Sequence, residues 1–287
     1  MSISSIGFVG LGAIGFPIAR NLATAGFDLR VHTRSRTAEN ANEFRDSICC
    51  SSPSEVSREV DLLFICVSDD EAVEDVIFGS YGAFKSLEQG SFIIDLSTIS
   101  PSKSKNIAQR CTKNNITYID APVTGGTEGA EGGTLTMFLG CDNNVFKTLK
   151  PILKFIAKNF YCFGCVGKGQ EVKAINQILV AGSYAAVAEA IALGQSLDLP
   201  MSKVIEALGK GAASSWALSY RSQAMLQNLY PLGFKLELHH KDLAIALKTA
   251  TDSGLNLPVT SLVKDIEKSL IEKGYGNEDV SVLRRAI

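Results

Sequence analysis

The sequence predicts a two-part chain: a doubly wound, mostly parallel α/β domain over residues 1–165, then an all-helical domain over residues 166–287. A long helix over about residues 170–197 is expected to join them. Three observations lead to this reading. Short runs rich in Val, Ile and Phe alternate with helical patterns up to about residue 165, strand candidates almost vanish beyond Gly167, and 287 residues with 46% hydrophobic content can bury two cores.

The strand candidates follow in order at residues 6–9, 29–32, 62–67, 92–96, 118–120, 135–139 and 159–163. The first run leads through a glycine-rich turn into a helix over residues 16–25. Beyond Gly167, helical periods are punctuated by Pro200, Gly211, Gly254, Pro258 and Gly274, residues suited to starting and stopping helices.

Composition narrows the partners. A formal charge of −2 and the lack of any long Lys/Arg run leave no electrostatic footprint for nucleic acid. The N-terminus enters Ile6, Phe8 and Val9 without a basic segment or small-residue cleavage site, so no secretory signal is expected. The most apolar helix, over residues 178–193, is interrupted by Ser183, Tyr184 and Glu189, and no membrane span is expected. Seven cysteines, an odd number in a long chain, fit a reduced, cytoplasmic setting. Cys162 and Cys165 have CxxC spacing but no second pair or neighbouring histidine; they and Cys49-Cys50 read as structural, and no metal is expected. The three histidines lack ligand spacing, and His239 and His240 read as helix-start residues.

Gly10-Leu11-Gly12-Ala13-Ile14-Gly15 follows the first strand and opens a helix, which is the context a dinucleotide fingerprint requires. Gly10 allows the tight turn, Gly12 lets a pyrophosphate approach the backbone, and Gly15 lets helix and strand pack closely. The helix N-terminus offers N–H donors to phosphate. A purely structural glycine turn is the alternative. About twenty residues on, where an NAD-binding chain usually carries an acid for the ribose diol, stand Thr33, Arg34 and Ser35. A guanidinium flanked by hydroxyls suits a 2′-phosphate, which favours NADP while leaving NAD possible. A solvated loop arginine is the competing reading.

Lys173 lies in Gly167-Lys168-Gly169-Gln170-Glu171-Val172-Lys173, a glycine-punctuated entry into a long apolar helix, with Asn176 and Gln177 on the same face of a 3.6-residue repeat. An ammonium and an amide there can address one small polar molecule; a lone lysine of this kind is otherwise a surface residue. Thr124-Gly125-Gly126 follows a proline-bounded strand end and can offer a hydroxyl and close backbone N–H groups to a carboxylate. Ser97 and Thr98 follow the fourth strand at its carboxyl end, where open parallel sheets bind ligands, and are expected to touch ribose or nicotinamide.

The fingerprint, Asp95-Leu96-Ser97-Thr98, Asp120-Ala121-Pro122-Val123-Thr124-Gly125-Gly126, Gly132-Gly133-Thr134-Leu135-Thr136, the Lys173 helix and Lys241-Asp242-Leu243 occur in one order that resembles the β-hydroxyacid dehydrogenase family. The likeness runs from about Ile6 to Asp279-Val280-Ser281. Ile14 and Ile18 stand where the family often has Met, Thr124 where it usually has Ser, and Gln177 replaces a second Asn of some members. The resemblance implies a Rossmann domain followed by an all-α domain, with NADP or NAD carrying hydride between a small 3-hydroxy carboxylate and its semialdehyde. It implies Lys173 as general acid/base, its pKa lowered by desolvation. It further implies Thr124, Gly125, Gly126, Asn176 and Lys241 around the substrate, and Val67, Thr98, Phe234 and Lys241 along the cofactor, with Phe234 on the nicotinamide. Lys241 is expected on a helix beginning near His239. Trp216, the only tryptophan, is either a core residue or a shaper of substrate choice. A homodimer or homotetramer is also implied. Two competing readings are a non-catalytic dinucleotide-binding module and an imine reductase of the same architecture; retention of Lys173 opposes both.

Overall fold

The computed structural model describes residues 3, 5–34 and 47–287. Its first unit is built on a six-stranded parallel sheet: β1 (Ser5–Val9), β2 (Asp28–His32), β3 (Ile48–Cys49), β4 (Leu62–Ile65), β5 (Phe92–Asp95) and β6 (Thr117–Asp120), in the order β3-β2-β1-β4-β5-β6. Helices α1 (Gly15–Thr24), α2 (Pro53–Val56), α3 (Asp70–Phe78) and α4 (Pro101–Thr112) connect them. The strand order reverses beside β1, so the carboxyl ends of β1 and β4 flank the switch point at which such sheets bind ligands.

All four residues of β4 are buried because both faces of the sheet are covered. Phe64 enters a core with Ile6, Phe8, Ile18 and Leu22, while Leu63 and Ile65 turn to the opposite face with Val73, Ile93 and Ile107. Each such side chain, fully buried, contributes about 1.5–3 kcal/mol.

The strands after β6 do not continue this sheet. β7 (Val123–Thr124), β8 (Leu135–Leu139) and β9 (Ala157–Cys162) form a separate three-stranded sheet, antiparallel between β7 and β8 and parallel between β8 and β9, with α5 (Gly126–Glu131) and α6 (Asn143–Leu153) between them. The single sheet expected through residue 163 therefore ends at Asp120. Pro122 has no N–H for a ladder, and the chain reverses through Gly125 and Gly126, both at positive φ. Two-residue strands such as β3 and β7 are too short to leave a periodic signal.

Helix α7 (Lys168–Ser196) follows, and the chain divides into compact units Met1–Lys173 and Ala174–Ile287. The division falls eight residues beyond the expected 165 because the opening of α7 is bonded into the first unit. By length and hydropathy α7 is apolar enough to cross a membrane, yet its Ala181, Tyr184, Ala188 and Ile191 lie in the core of the second unit. That unit contains α8 (Met201–Leu208), α9 (Trp216–Gln227), α10 (Leu236–Asp252) and α11 (Pro258–Leu270), and its core gathers Leu218, Met225, Leu236, Leu243, Val263, Leu270 and Leu283. Ser215 caps α9, its Oγ accepting from Leu218 N at 3.0 Å, and Pro258 opens α11.

Helix α10 starts at Leu236, three residues before the expected start near His239. The C-terminal segment supplies acceptors for its first N–H groups, with Leu236 N donating to Glu278 O at 2.9 Å and Glu237 N to Gly276 O at 3.0 Å. His239 is consequently inside the first turn, fully buried, with Nδ1 2.5 Å from Glu267 Oε1 and its ring edge-on to Phe234.

Candidate active site

In the first unit, one continuous line of contacts joins the fingerprint to Lys173. A Cβ on Gly10 would lie 2.2 Å from Cys66 O and 3.0 Å from a Val67 methyl, and one on Gly15 would lie 2.0 Å from Gly10 O, so both positions exclude side chains. A Cβ on Gly12 would meet nothing within 4 Å. Gly12 and Ala13 are exposed, no side chain caps α1, and its first turn carries no acidic residue. An open space over an uncapped helix start fits a pyrophosphate. At the end of β2, Thr33 is half-buried and Arg34 exposed, while Ser35 lies outside the described residues.

Val67 N donates to Ser97 Oγ at 2.9 Å, tying the loop after β4 to the loop after β5. Ser97 N in turn donates to Asp95 Oδ1 at 2.9 Å. Ser97 is buried with its hydroxyl accepting from Val67 N, and the next residue, Thr98, is half-buried. Asp95 also accepts from Tyr118 Oη at 2.7 Å. Burial pushes its carboxyl up to about 6, against the lowering pull of its bonds to Ser97 and Tyr118.

Gln170, 1% exposed, holds this loop from the other side. Its Nε2 donates to Ser97 O at 2.7 Å and its Oε1 accepts from Ile99 N at 3.2 Å, so one amide spans the backbone around Thr98. Asp120 anchors the same helix start, Oδ1 accepting from Gly167 N at 2.7 Å and Oδ2 from Gln170 N at 2.9 Å. Burial raises the Asp120 carboxyl to about 6 despite these bonds. One turn after Gln170, Lys173 is 6% exposed and donates from Nζ to Val123 O at 2.8 Å. That carbonyl directly precedes half-buried Thr124, Gly125 and Gly126. The structure thus brings together the fingerprint loop, Val67, Thr98, Lys173 and the Thr124–Gly126 turn.

The second unit holds another polar line. Asn176 Nδ2 donates to Gln177 Oε1 at 2.7 Å, Gln177 Nε2 donates to Asp242 Oδ2 at 2.8 Å, and Lys241 Nζ lies 3.0 Å from Asp242 Oδ1 as an ion pair. Asp242 thus orients the Gln177 amide and, through it, that of Asn176. Half-buried Phe234 is fixed by Asp279, whose Oδ2 accepts from Gly233 N at 3.0 Å and Phe234 N at 2.9 Å. Trp216 is 43% exposed, stacks on Tyr220 at 5.0 Å and lies under the Arg221 guanidinium, so it is not a core residue.

The sequence alone assigns no role to Gln170 or Asp120, although both lie inside the motifs named above. Their signal is positional: a carboxylate ending the last parallel strand, and an amide one turn before an inward lysine. The neighbour of Cys162 is Cys141, with sulfurs 3.9 Å apart, and all seven cysteines are free. Among the described residues, no group of three or more His, Cys, Asp or Glu side chains gathers as a metal site.

Two family models cover the chain. One, the NAD binding domain of 6-phosphogluconate dehydrogenase, matches residues 5–167, and the other, described as NAD-binding of NADP-dependent 3-hydroxyisobutyrate dehydrogenase, matches residues 167–287. The chain is 36% identical over 282 residues to 2-hydroxy-3-oxopropionate reductase of Escherichia coli (strain K12), spanning 98% of this chain and 96% of that one. It is 33% identical to 2-(hydroxymethyl)glutarate dehydrogenase of Eubacterium barkeri, over 97% and 93% of the two chains. The crystal structure of a 3-hydroxyisobutyrate dehydrogenase from Salmonella typhimurium superposes with a TM-score of 0.89 at 30% identity, covering 99% of each chain. With models matched end to end and relatives aligned over nearly their whole length, the chain belongs to the β-hydroxyacid dehydrogenase family.

Proposed function

We propose that the chain is an NADP-preferring dehydrogenase that interconverts a short 3-hydroxy carboxylate with its semialdehyde. The observation that carries this reading is Lys173: a buried ammonium held on Val123 O, immediately before a turn suited to a carboxylate. The dinucleotide, when bound, supplies hydride to the carbonyl carbon or accepts it from the alcohol carbon. Lys173 gives a proton to the carbonyl oxygen during reduction and takes it back during oxidation. Thr124, Gly125 and Gly126 hold the carboxylate, with Asn176 and Lys241 assigned to the substrate by family resemblance. Gly10, Leu11, Gly12, Ala13, Ile14 and Gly15 take the pyrophosphate, and Val67 and Thr98 border the nicotinamide ribose. Phe234 and Lys241 address the nicotinamide.

Exposed Arg34, with no acid at the end of β2, supports NADP over NAD. Exposed apolar side chains of the second unit, among them Leu179, Val259 and Leu262, support a homodimer or homotetramer. The free cysteines support a reducing, cytoplasmic location.

The test is an absorbance assay of short hydroxy acids and semialdehydes, among them glycerate, 3-hydroxyisobutyrate and tartronate semialdehyde, with NADP and NAD in parallel. Three- and four-carbon β-hydroxy acids should react, and the methyl ester or amide of the best acid should lose at least about 2 kcal/mol of transition-state binding. Equal rates on acid and ester, or turnover confined to cyclic imines, would refute the carboxylate site.

A further inference from the structure

We propose that Gln170 is a positioning residue for the reaction: its amide clasps the backbone on both sides of Thr98 and ties that loop to the helical turn carrying Lys173. The proposal rests on the reading of Lys173 and Thr98 given above. Its geometry is independent of any ligand. The two bonds are complementary, Nε2 to a carbonyl and Oε1 from an N–H, so they fix the amide in one orientation. Gln170 is buried, and so are Ser97 and Ile99, so both bonds are shielded from bulk solvent.

Every other polar group of Ser97 is also engaged, its N–H by Asp95 and its hydroxyl by Val67 N. Beyond Thr98 the loop is held again, Ser100 N donating to Asp70 Oδ1 at 2.9 Å, and Gln170 supplies its bonds to the helix that carries Lys173. On the helix side, the Gln170 backbone N–H is fixed on Asp120, and Lys173 follows three residues later, one turn along the same helix. The Gln170 side chain thus bonds the Thr98 loop directly to the helical turn that carries Lys173.

Gln170 is assigned no contact with a reacting atom. It acts through the placement of Thr98 relative to Lys173, and misplacement on the order of 1 Å can cost 10²-fold in rate.

Two variants test the idea, each beside the wild type and Lys173→Ala. Gln170→Met keeps length and volume but removes both bonds. Its kcat should fall between about tenfold and 10²-fold. The dinucleotide Kd, read by NADPH fluorescence, should stay within about threefold, because the fingerprint is untouched. The primary deuterium isotope effect on kcat should rise as hydride transfer becomes slower. Unchanged kcat and isotope effect, with only a lower melting temperature, would overturn the proposal.

Gln170→Glu supplies a second readout should the Met variant not fold. A carboxylate can accept from Ile99 N but cannot donate to Ser97 O, whereas the protonated acid can do both. The ratio of variant to wild-type kcat should therefore rise as pH falls from 8 to 5.5. Asp95, Asp120 and Lys173 face the same region, as do Glu171, Lys105 and Lys168 at its rim; the ratio cancels their common titration. A ratio independent of pH would overturn the proposal. Retained turnover in Lys173→Ala would refute the reading of the site and this proposal with it, whereas its loss beside an unchanged Gln170→Met refutes the proposal alone.

Discussion

Asp95→Asn should make the protein more stable at neutral pH relative to wild type, by an amount that grows as pH rises from 4 to about 7.5. Asp95 is fully buried beneath the Ser97–Thr98 loop, and desolvation is the largest influence on its carboxyl, raising it from 3.8 to about 6. A carboxyl raised in the folded state contributes stability that is fully present below the unfolded value and is lost as pH rises through the folded one. A rise from 3.8 to about 6 corresponds to roughly 3 kcal/mol, forfeited by the wild type across that window. The Asn side chain keeps an acceptor for Ser97 N and presents an N–H to the Tyr118 oxygen, so it fills the site without ionising. Glu74 and Glu171, whose carboxyls are lowered by partners including Arg110, Lys103 and Lys168, act in the opposite sense and lose stability as pH falls. Only the difference between variant and wild type is therefore diagnostic. Differential scanning fluorimetry across pH 4–7.5 measures it. At about 2–4 °C per kcal/mol for a unit of this size, the difference should climb by on the order of 5–10 °C. A flat difference, or one that falls as pH rises, would refute the raised carboxyl and with it the dry interior inferred beneath Thr98.

Lys173→Ala should lower kcat by on the order of 10²–10⁴-fold while leaving the NADPH Kd, measured by fluorescence, nearly unchanged; near-wild-type kcat would remove the proton-transfer role. Gly12→Val should leave the melting temperature unchanged but weaken dinucleotide binding about tenfold or more, because its side chain enters space that the protein leaves open. Gly15→Ala should cost about 1–3 kcal/mol of stability through its clash with Gly10 O, and the reverse pattern in this pair would contradict the phosphate site. Arg34→Asp should shift the ratio of kcat/KM for NADPH over NADH towards NADH; unchanged selectivity would show that Arg34 does not read the 2′-phosphate.

The alternation of apolar runs and helical periods places most of the parallel sheet, whose inner strands such as β4 are buried on both faces, while β2 alternates and the two-residue β3 leaves no signal. The same rule misled at residue 120. β8 is nearly as apolar as β4, and apolar content does not say which sheet a strand joins; Pro122 is the local sign of a break. The start of α10 was misplaced because the acceptors for its first turn come from residues 276 and 278, about forty positions later. Chemistry-bearing residues such as Lys173 and Gly12 stood out because few structural roles suit a lysine in an apolar helix or three glycines in that spacing. Gln170 did not, since a glutamine is mostly a solvent-facing residue, and only its three-dimensional pairing with Ser97 and Ile99 in the loop after β5 marks it as a buried clasp.

The glycines before Lys173 have a packing explanation that periodicity could not supply. A Cβ at Gly169 would lie 2.3 Å from Phe138 O and 2.9 Å from Asp120 O, so a side chain there would force the start of α7 off the end of β6. Close approach is what lets Asp120 reach both Gly167 N and Gln170 N, and it brings Lys173 within 2.8 Å of Val123 O, three residues after Asp120. One short segment thus serves three ends: its carboxylate anchors the helix, its carbonyl receives the ammonium, and its following turn is the proposed carboxylate site. The opening of α7 up to Lys173 belongs to the sheet unit, and the helix continues from Ala174 into the helical unit. A substitution that moves the helix start, at Asp120 or Gly169, should accordingly reach the rate of proton transfer even though neither residue is assigned a contact with substrate.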